Sequence, residues 1–293
     1  MNIFSSYHPV VLMLYFISVI LVSMFTLHPV ILTISLISGI CWFSMLADRR
    51  ELLSSLGFYL AMFILIAVTN PIFSHNGETI LFFLNDQRVT LEAIFYGMAT
   101  GVMIVAVIFW CKCYSEVMTS DKFIYLFGKA IPKLSLILSM ALRFIPLFKM
   151  QMKKISKTQK TMGLYSSKSV VDKIGGAMRV FAAILTWSLE NAVDTANSMK
   201  ARGYGLKGRT NFSLFRFTYR DGIMLGCIAS GMFIIAVSAF CGKLHFAYYP
   251  VVTKANGSVL GIAAYIMSAV LMFIPYIIEI KENIRWKLLI SKI

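Results

Sequence analysis

Ala201-Arg202-Gly203, within the stretch SMKARGYGLKGR at 198–209, is the run of this 293-residue chain best suited to recognition chemistry. A guanidinium presents a planar fork of N–H donors that matches a carboxylate, and a cation is favoured at a helix C-terminus. Alanine lets another backbone approach closely, and glycine ends a helix in the left-handed conformation. Groups for covalent chemistry are dispersed by comparison. His8, His28, His75 and His245 fall near the expected ends of apolar runs, without a His-Glu-x-x-His pair. The five cysteines at 41, 111, 113, 227 and 241 are odd in number and lack zinc-type spacing. No metal site, cofactor or disulfide framework is therefore expected. No stretch fits the phosphate-binding pattern G-x-x-x-x-G-K-[ST]; Gly128-Lys129 and Gly205-Leu206-Lys207-Gly208-Arg209 lack the spacing or the hydroxyl residue. If ATP drives this protein, other subunits bind it, and the chain reads as non-catalytic.

The elements that carry Arg202 belong to a membrane protein. Hydrophobic residues make up 58% of the chain and charged residues 14%, against about 25% charged in soluble domains. Six stretches meet the length of about 20 apolar residues that a spanning helix needs: 10–27, 30–46, 52–72, 91–113, 222–242 and 258–279. Pro29 suits the first turn of the second, so the first two form a tight hairpin. The start of the chain lacks a positive n-region and a small-residue cleavage site, and reads as a first span rather than a cleaved signal.

Charge sets the orientation. The net charge is +15, from 28 Lys+Arg and 13 Asp+Glu. With a cytoplasmic N-terminus and six spans, 25 of the 28 basic residues fall on the cytoplasmic side, 19 of them between Lys112 and Arg220. Only Arg88, Lys243 and Lys254 fall opposite. Both termini are then cytoplasmic, and no nucleic-acid motif accompanies the charge. The chain divides into four spans at 1–113, a cytoplasmic segment at 114–221, and two spans with a basic tail at 222–293.

That middle segment is far longer than a connection requires. From Pro132 to Met162, Leu138, Leu142, Ile145, Phe148, Met152, Ile155 and Met162 recur at helical spacing, opposed by Lys149, Lys153, Lys154, Lys157 and Lys160. Pro146 removes an internal hydrogen bond, and Gly163 stops the helix. A second helix reads from about Val180 to Arg202, with Leu189, Val193, Ala196 and Met199 on one stripe and Glu190, Asp194, Asn197 and Lys200 opposite. A polar turn around Ser166, Ser167 and Ser169 joins the two. The apolar runs 134–148 and 175–189, interrupted by Arg143 and Arg179, read as interfacial. Basic amphipathic helices can adhere to anionic lipid or insert a tip into a partner's groove.

Read together, MALRFIPLF (140–148), KKISKTQKTMGL (153–164) and LENAVDTANSMKARGYG (189–205) resemble the conserved core of the energy-coupling factor transporter transmembrane component, the EcfT/CbiQ family. NPIFSHNGETILF (70–82) and VTLEAIFYG (89–97) are similar to it as well. The resemblance implies an all-α polytopic membrane protein, with about six transmembrane helices and two long amphipathic coupling helices. It also implies two cytoplasmic ABC ATPase subunits and a small membrane-embedded substrate-binding S component as partners, in a bacterial or archaeal cell membrane, for uptake of a vitamin or transition-metal ion. In that family each coupling helix typically ends in Ala-Arg-Gly and docks in an ATPase groove. Here the second tip, Ala201-Arg202-Gly203, matches, whereas the first reads Thr161-Met162-Gly163, with Lys157 and Lys160 one turn earlier. The apolar faces, Leu142, Ile145, Phe148, Met152 and Ile155 with Leu189, Val193, Ala196 and Met199, are the expected platform for the S component.

Two other classes fit less well. An intramembrane enzyme would group ionisable residues at a site. A self-sufficient secondary transporter or channel would show internal repeats and midplane polar groups, and neither is visible.

Overall fold

A computed structural model describes residues 3–74, 77–84, 87–163, 170–206, 215–253 and 257–290. The described chain is helical except for one β-hairpin, and it separates into two compact units, residues 1–122 with 215–293 and residues 123–214. The seryl turn at 166–169 lies outside the described residues.

The first unit contains α1 (Pro9–Phe25), α2 (Pro29–Leu46), α3 (Arg49–Phe73), strands β1 (Ile80–Leu84) and β2 (Gln87–Thr90), α4 (Leu91–Val117), α8 (Tyr219–Phe240) and α9 (Val259–Ile290). α1 and α2 both start at a His-Pro step. The prolines occupy the first helical turn, and the ring nitrogens of His8 and His28 accept from the N–H groups of Val10 and Val30. The antiparallel hairpin pairs Phe83 with Arg88 and Leu84 with Gln87. It is absent from the sequence reading, although ILFFL and QRVT flank Asn85-Asp86 as a hairpin pattern does.

Among the described residues six helices are long and apolar enough to cross a membrane, but they are not the expected six. α2, α3, α4, α8 and α9 qualify, together with Lys133–Thr161 of α6 (Pro132–Thr161), while α1 is shorter, at 17 residues. At a rise of about 1.5 Å per residue, α1 reaches about 25 Å, less than a hydrocarbon core of about 30 Å. α6 continues through Arg143, which made the apolar run 134–148 look interrupted, and through Pro146. α9 also runs ten residues past Ile280, so Lys281, Arg285 and Lys287 lie on a helix.

Aromatic side chains fill the core of this unit. Phe4, Tyr15, Phe16, Trp42, Phe43, Phe109 and Trp110 are almost wholly buried, with Phe16 stacked on Trp42 at 5.5 Å. Polar groups inside it are paired between helices. Ser23 and Ser35 share a hydrogen bond of 2.7 Å, and the Trp110 indole N–H donates to Ser35 at 3.1 Å. Pro275 lacks the N–H that would serve the Leu271 carbonyl four residues back, and that carbonyl accepts from the Tyr15 hydroxyl at 3.1 Å. Beside it, Ser38 donates to the Met272 carbonyl at 2.5 Å. These contacts tie α1 and α2 to α9 at the point where its backbone ladder is interrupted.

α3 and α4 approach through glycine. A Cβ on Gly97 would lie 2.8 Å from the Ala67 carbonyl, itself freed by Pro71, and one on Gly101 would lie 2.9 Å from the Phe63 ring. Gly97 and Gly101 form a G-x-x-x-G face that permits this packing. Gly101→Leu is therefore expected to lower stability by about 1–3 kcal/mol through overpacking. Thermal unfolding in detergent should show a lower midpoint, whereas Gly57→Ala, at a site with open space around it, should leave the midpoint near the parent's.

The second unit holds most of α5 (Ser120–Ala130), together with α6 and α7 (Val170–Ala201). At the start of α5, still in the first unit, the Lys122 ammonium donates to the Ser5 carbonyl at 2.6 Å and the Val117 carbonyl at 2.8 Å. Burial holds its pKa below the ordinary lysine value. α7 begins about ten residues before the expected Val180, because Gly175-Gly176 does not interrupt it. Gly176 and Val180 are its buried residues, one turn apart on one face.

Candidate coupling surface

α6 and α7 run antiparallel and meet at Phe148 and Trp187, whose rings pack edge to face with centroids 5.7 Å apart. Phe144 stacks on Phe148 from one turn earlier, also at 5.7 Å. α6 continues thirteen residues beyond Phe148 and α7 fourteen beyond Trp187. Each arm is thus about 20 Å long, counted from the crossing.

A groove opens on either side of this crossing. The first, of about 610 Å³, lies between early α6 and late α7 and is lined by Leu136, Ile137, Met140, Phe144, Ala196, Met199 and Tyr204, among others. The second, of about 960 Å³, lies between late α6 and early α7; Met152, Ile174, Met178, Phe181 and Ile184 form its apolar wall, with Lys153, Lys157 and Lys160 along it. Their chemistry differs, since three ammonium groups border the second and one, Lys200, the first.

The residues expected to form one platform are distributed over this geometry. Ala196 and Met199 line the first groove and Met152 the second, while Phe148 sits at the crossing. Leu142 and Ile155 are half-buried. Ile145, Leu189 and Val193 are exposed and line neither groove. Trp187, Phe144, Phe181 and Tyr204 were not anticipated, although Phe144 and Phe148 stand four residues apart, the spacing at which helical side chains meet.

Both arms end in the same way. After α7 the Gly203 N–H donates to the Lys200 carbonyl at 2.9 Å and the Tyr204 N–H to the Met199 carbonyl at 3.0 Å, with Gly203 at φ +76°. These are the two bonds of a Schellman cap, and Tyr204 and Met199 both line the first groove. After α6 the Gly163 N–H donates to the Lys160 carbonyl at 3.1 Å, with Gly163 at φ +77°. A side chain on Gly203 would be strained by its φ and would meet Leu206 at 2.9 Å. The residue before each glycine projects outward: Met162 is 71% exposed and Arg202 is exposed too. Arg202 has no carboxylate within salt-bridge distance among the described residues. One backbone ending thus presents a thioether at the first tip and a guanidinium at the second.

Among the described residues no group of three His, Cys, Asp or Glu is placed to hold a metal ion, and all five cysteines are free thiols.

Comparison with known proteins gives this arrangement a context. The CbiQ family, described as cobalt transport protein, matches residues 5–212, a span that takes in both tips and stops before α8. The energy-coupling factor transporter transmembrane protein EcfT of Listeria innocua is 29% identical over 185 residues, which cover 57% of this chain and 67% of that protein. EcfT of Brevibacillus brevis is 29% identical over 186 residues, 59% of this chain and 69% of its own. EcfT of Staphylococcus aureus is 27% identical over 161 residues, 52% and 60% respectively. With the family match running over most of its length, this chain belongs to the EcfT/CbiQ family and is the transmembrane component of an energy-coupling factor transporter.

Proposed function

We propose that the chain couples two cytoplasmic ABC ATPases to a membrane-embedded S component, converting ATP-driven closure of the ATPases into movement of that substrate-binding subunit. The observation that carries this reading is the matched pair of exposed, glycine-capped helix ends on one crossing pair of helices. Each tip seats in a groove of one ATPase. The arms on either side of Phe148 and Trp187 are nearly equal, so displacement at the tips is passed to the crossing as a change in the angle of two stiff rods. The grooves beside the crossing offer Met, Leu and Phe side chains that can repack against a partner. The chain itself is non-catalytic, because ATP is bound and hydrolysed by the partner subunits. The cargo is a vitamin or a transition-metal ion; the matching family's description names cobalt. The excess of Lys and Arg between Lys112 and Arg220 supports a cell-membrane protein with both termini and this segment in the cytoplasm.

The tips are unlike, and so are the ATPase grooves they enter: an apolar pocket for Met162 and a carboxylate-bearing one for Arg202. The test is site-directed crosslinking from Met162 and Arg202 in a complex with two distinguishable ATPases. Met162 and Arg202 are expected to label different chains. If both label the same chain, the two-groove reading is wrong. If neither labels an ATPase, and none co-purifies, the coupling role fails with it.

A further inference from the structure

A cleft in the first unit holds a cluster of basic side chains that belong to neither tip and that the coupling role does not use. It has a volume of about 660 Å³ and lies among the turn at Ile3–Tyr7, the first turn of α8 and the part of α9 just past its apolar run. Arg220, Lys281 and Arg285 line it, with two carboxylates, Asp221 and Glu282.

The carboxylates leave positive charge over. Asp221 is 2% exposed and its oxygens are committed to protein donors: Oδ1 accepts from the His8 N–H at 2.8 Å, and Oδ2 from the Thr218 N–H at 2.8 Å and its hydroxyl at 2.6 Å. Glu282 pairs with Arg285 at 3.7 Å. Arg220 and Lys281 have no carboxylate within salt-bridge distance among the described residues. The cleft keeps a net positive charge, its carboxylates are engaged by protein donors or by Arg285, and the guanidinium and ammonium that face it suit a phosphate.

The position of the cleft indicates which phosphate. Lys281 follows the apolar run of α9 directly, so the site lies at the level of the lipid headgroups, where phenolic rings are favoured. Tyr219, 85% exposed, lines the cleft, and it shares an adjoining surface depression with Ile223, one turn along α8 and exposed as well. A lipid whose phosphate sits in the cleft would have Tyr219 and the exposed Ile223 beside it for apolar contact. We infer that this cleft binds the phosphate of an anionic phospholipid, with Arg220 and Lys281 as its principal contacts. The inference stands apart from the coupling role, because neither residue belongs to a tip or a groove of α6 and α7.

The test is a titration of the purified full chain with dioleoyl phosphatidylglycerol or dioleoyl phosphatidylcholine, counting retained lipids by native mass spectrometry. The Arg220→Gln/Lys281→Gln variant should bind phosphatidylglycerol roughly tenfold more weakly, since each basic side chain contributes separately at an anionic surface. Its phosphatidylcholine retention should not change. Lys173→Gln/Arg179→Gln, which removes equal charge from exposed positions on α7, should retain phosphatidylglycerol as the parent does. Unchanged binding in the first variant, or an equal loss in both, overturns the site. Displacement of phosphatidylglycerol by excess inorganic phosphate overturns the lipid assignment in favour of a soluble phosphate. Capture of an acidic peptide in preference to phosphatidylglycerol overturns it in favour of a protein.

Discussion

Arg202→Glu is expected to reduce ATP-dependent uptake by about two orders of magnitude while membrane insertion and thermal stability stay close to the parent's. The size follows from the cost of removing one partner of a buried, hydrogen-bonded charge pair, about 2–5 kcal/mol, which reversal of charge raises further. The lack of effect on the chain alone follows from its structure. Arg202 is exposed, and Gly203 and Tyr204 make the cap through backbone N–H groups. What the isolated helix loses is a favourable cation at its C-terminus, about 0.3–1 kcal/mol. Arg202→Ala should fall between parent and Glu. Two measurements on each variant, the ATPase that co-purifies and substrate uptake in proteoliposomes, check the prediction, and parent-level values in both would remove Arg202 from the coupling contact. The first tip should respond to a different substitution. Met162→Leu keeps an apolar tip and is expected to be tolerated, whereas Met162→Glu places a charge in an apolar groove and should weaken ATPase retention.

The second large effect falls on stability. Asp221 closes a capping box with Thr218 at the start of α8 and also receives the His8 N–H at the start of α1. Replacing it with alanine deprives three donors of this acceptor: the buried His8 N–H and the part-buried N–H and hydroxyl of Thr218. Loss of the buried bond from His8 costs about 1–3 kcal/mol and loss of the helix cap about 1 kcal/mol more, so Asp221→Ala should destabilise the protein by about 2–4 kcal/mol. Thr218→Ala, which removes one of the donors together with the cap, should cost about 1 kcal/mol. Thermal midpoints in detergent should fall in that order, and faster amide exchange at His8 should accompany the Asp221 variant. A midpoint for Asp221→Ala equal to the parent's would contradict this account.

What the sequence made legible follows the range of the forces involved. Glycine stops are local, so Gly163 and Gly203 could be placed without a structure, and both are found at positive φ. The spans of α2, α4 and α8 are continuous apolar runs and were read within a few residues. Helix starts without a strong local signal were not. Gly175-Gly176 reads as punctuation, yet α7 continues through it with Gly176 buried. The helix from Pro132 was legible in its periodicity and is found at Pro132–Thr161, but Arg143 made its apolar first half look too interrupted to count as a span. The bond from His8 to Asp221 was not legible, because the two residues lie 213 positions apart. The platform residues illustrate the same limit. Periodicity assigns Ile145, Phe148 and Met152 to one face of a helix, but only the crossing at Trp187 decides which of them is covered.

Both tips stop through bonds between main-chain atoms, and the stop is therefore indifferent to the side chain that precedes the glycine. The position occupied by Met162 in one arm and Arg202 in the other can be exchanged without refolding either helix. Under the proposed coupling role it would work as an address: a single substitution there is expected to redirect an arm to a different socket, while the lever behind it keeps its length and its pivot.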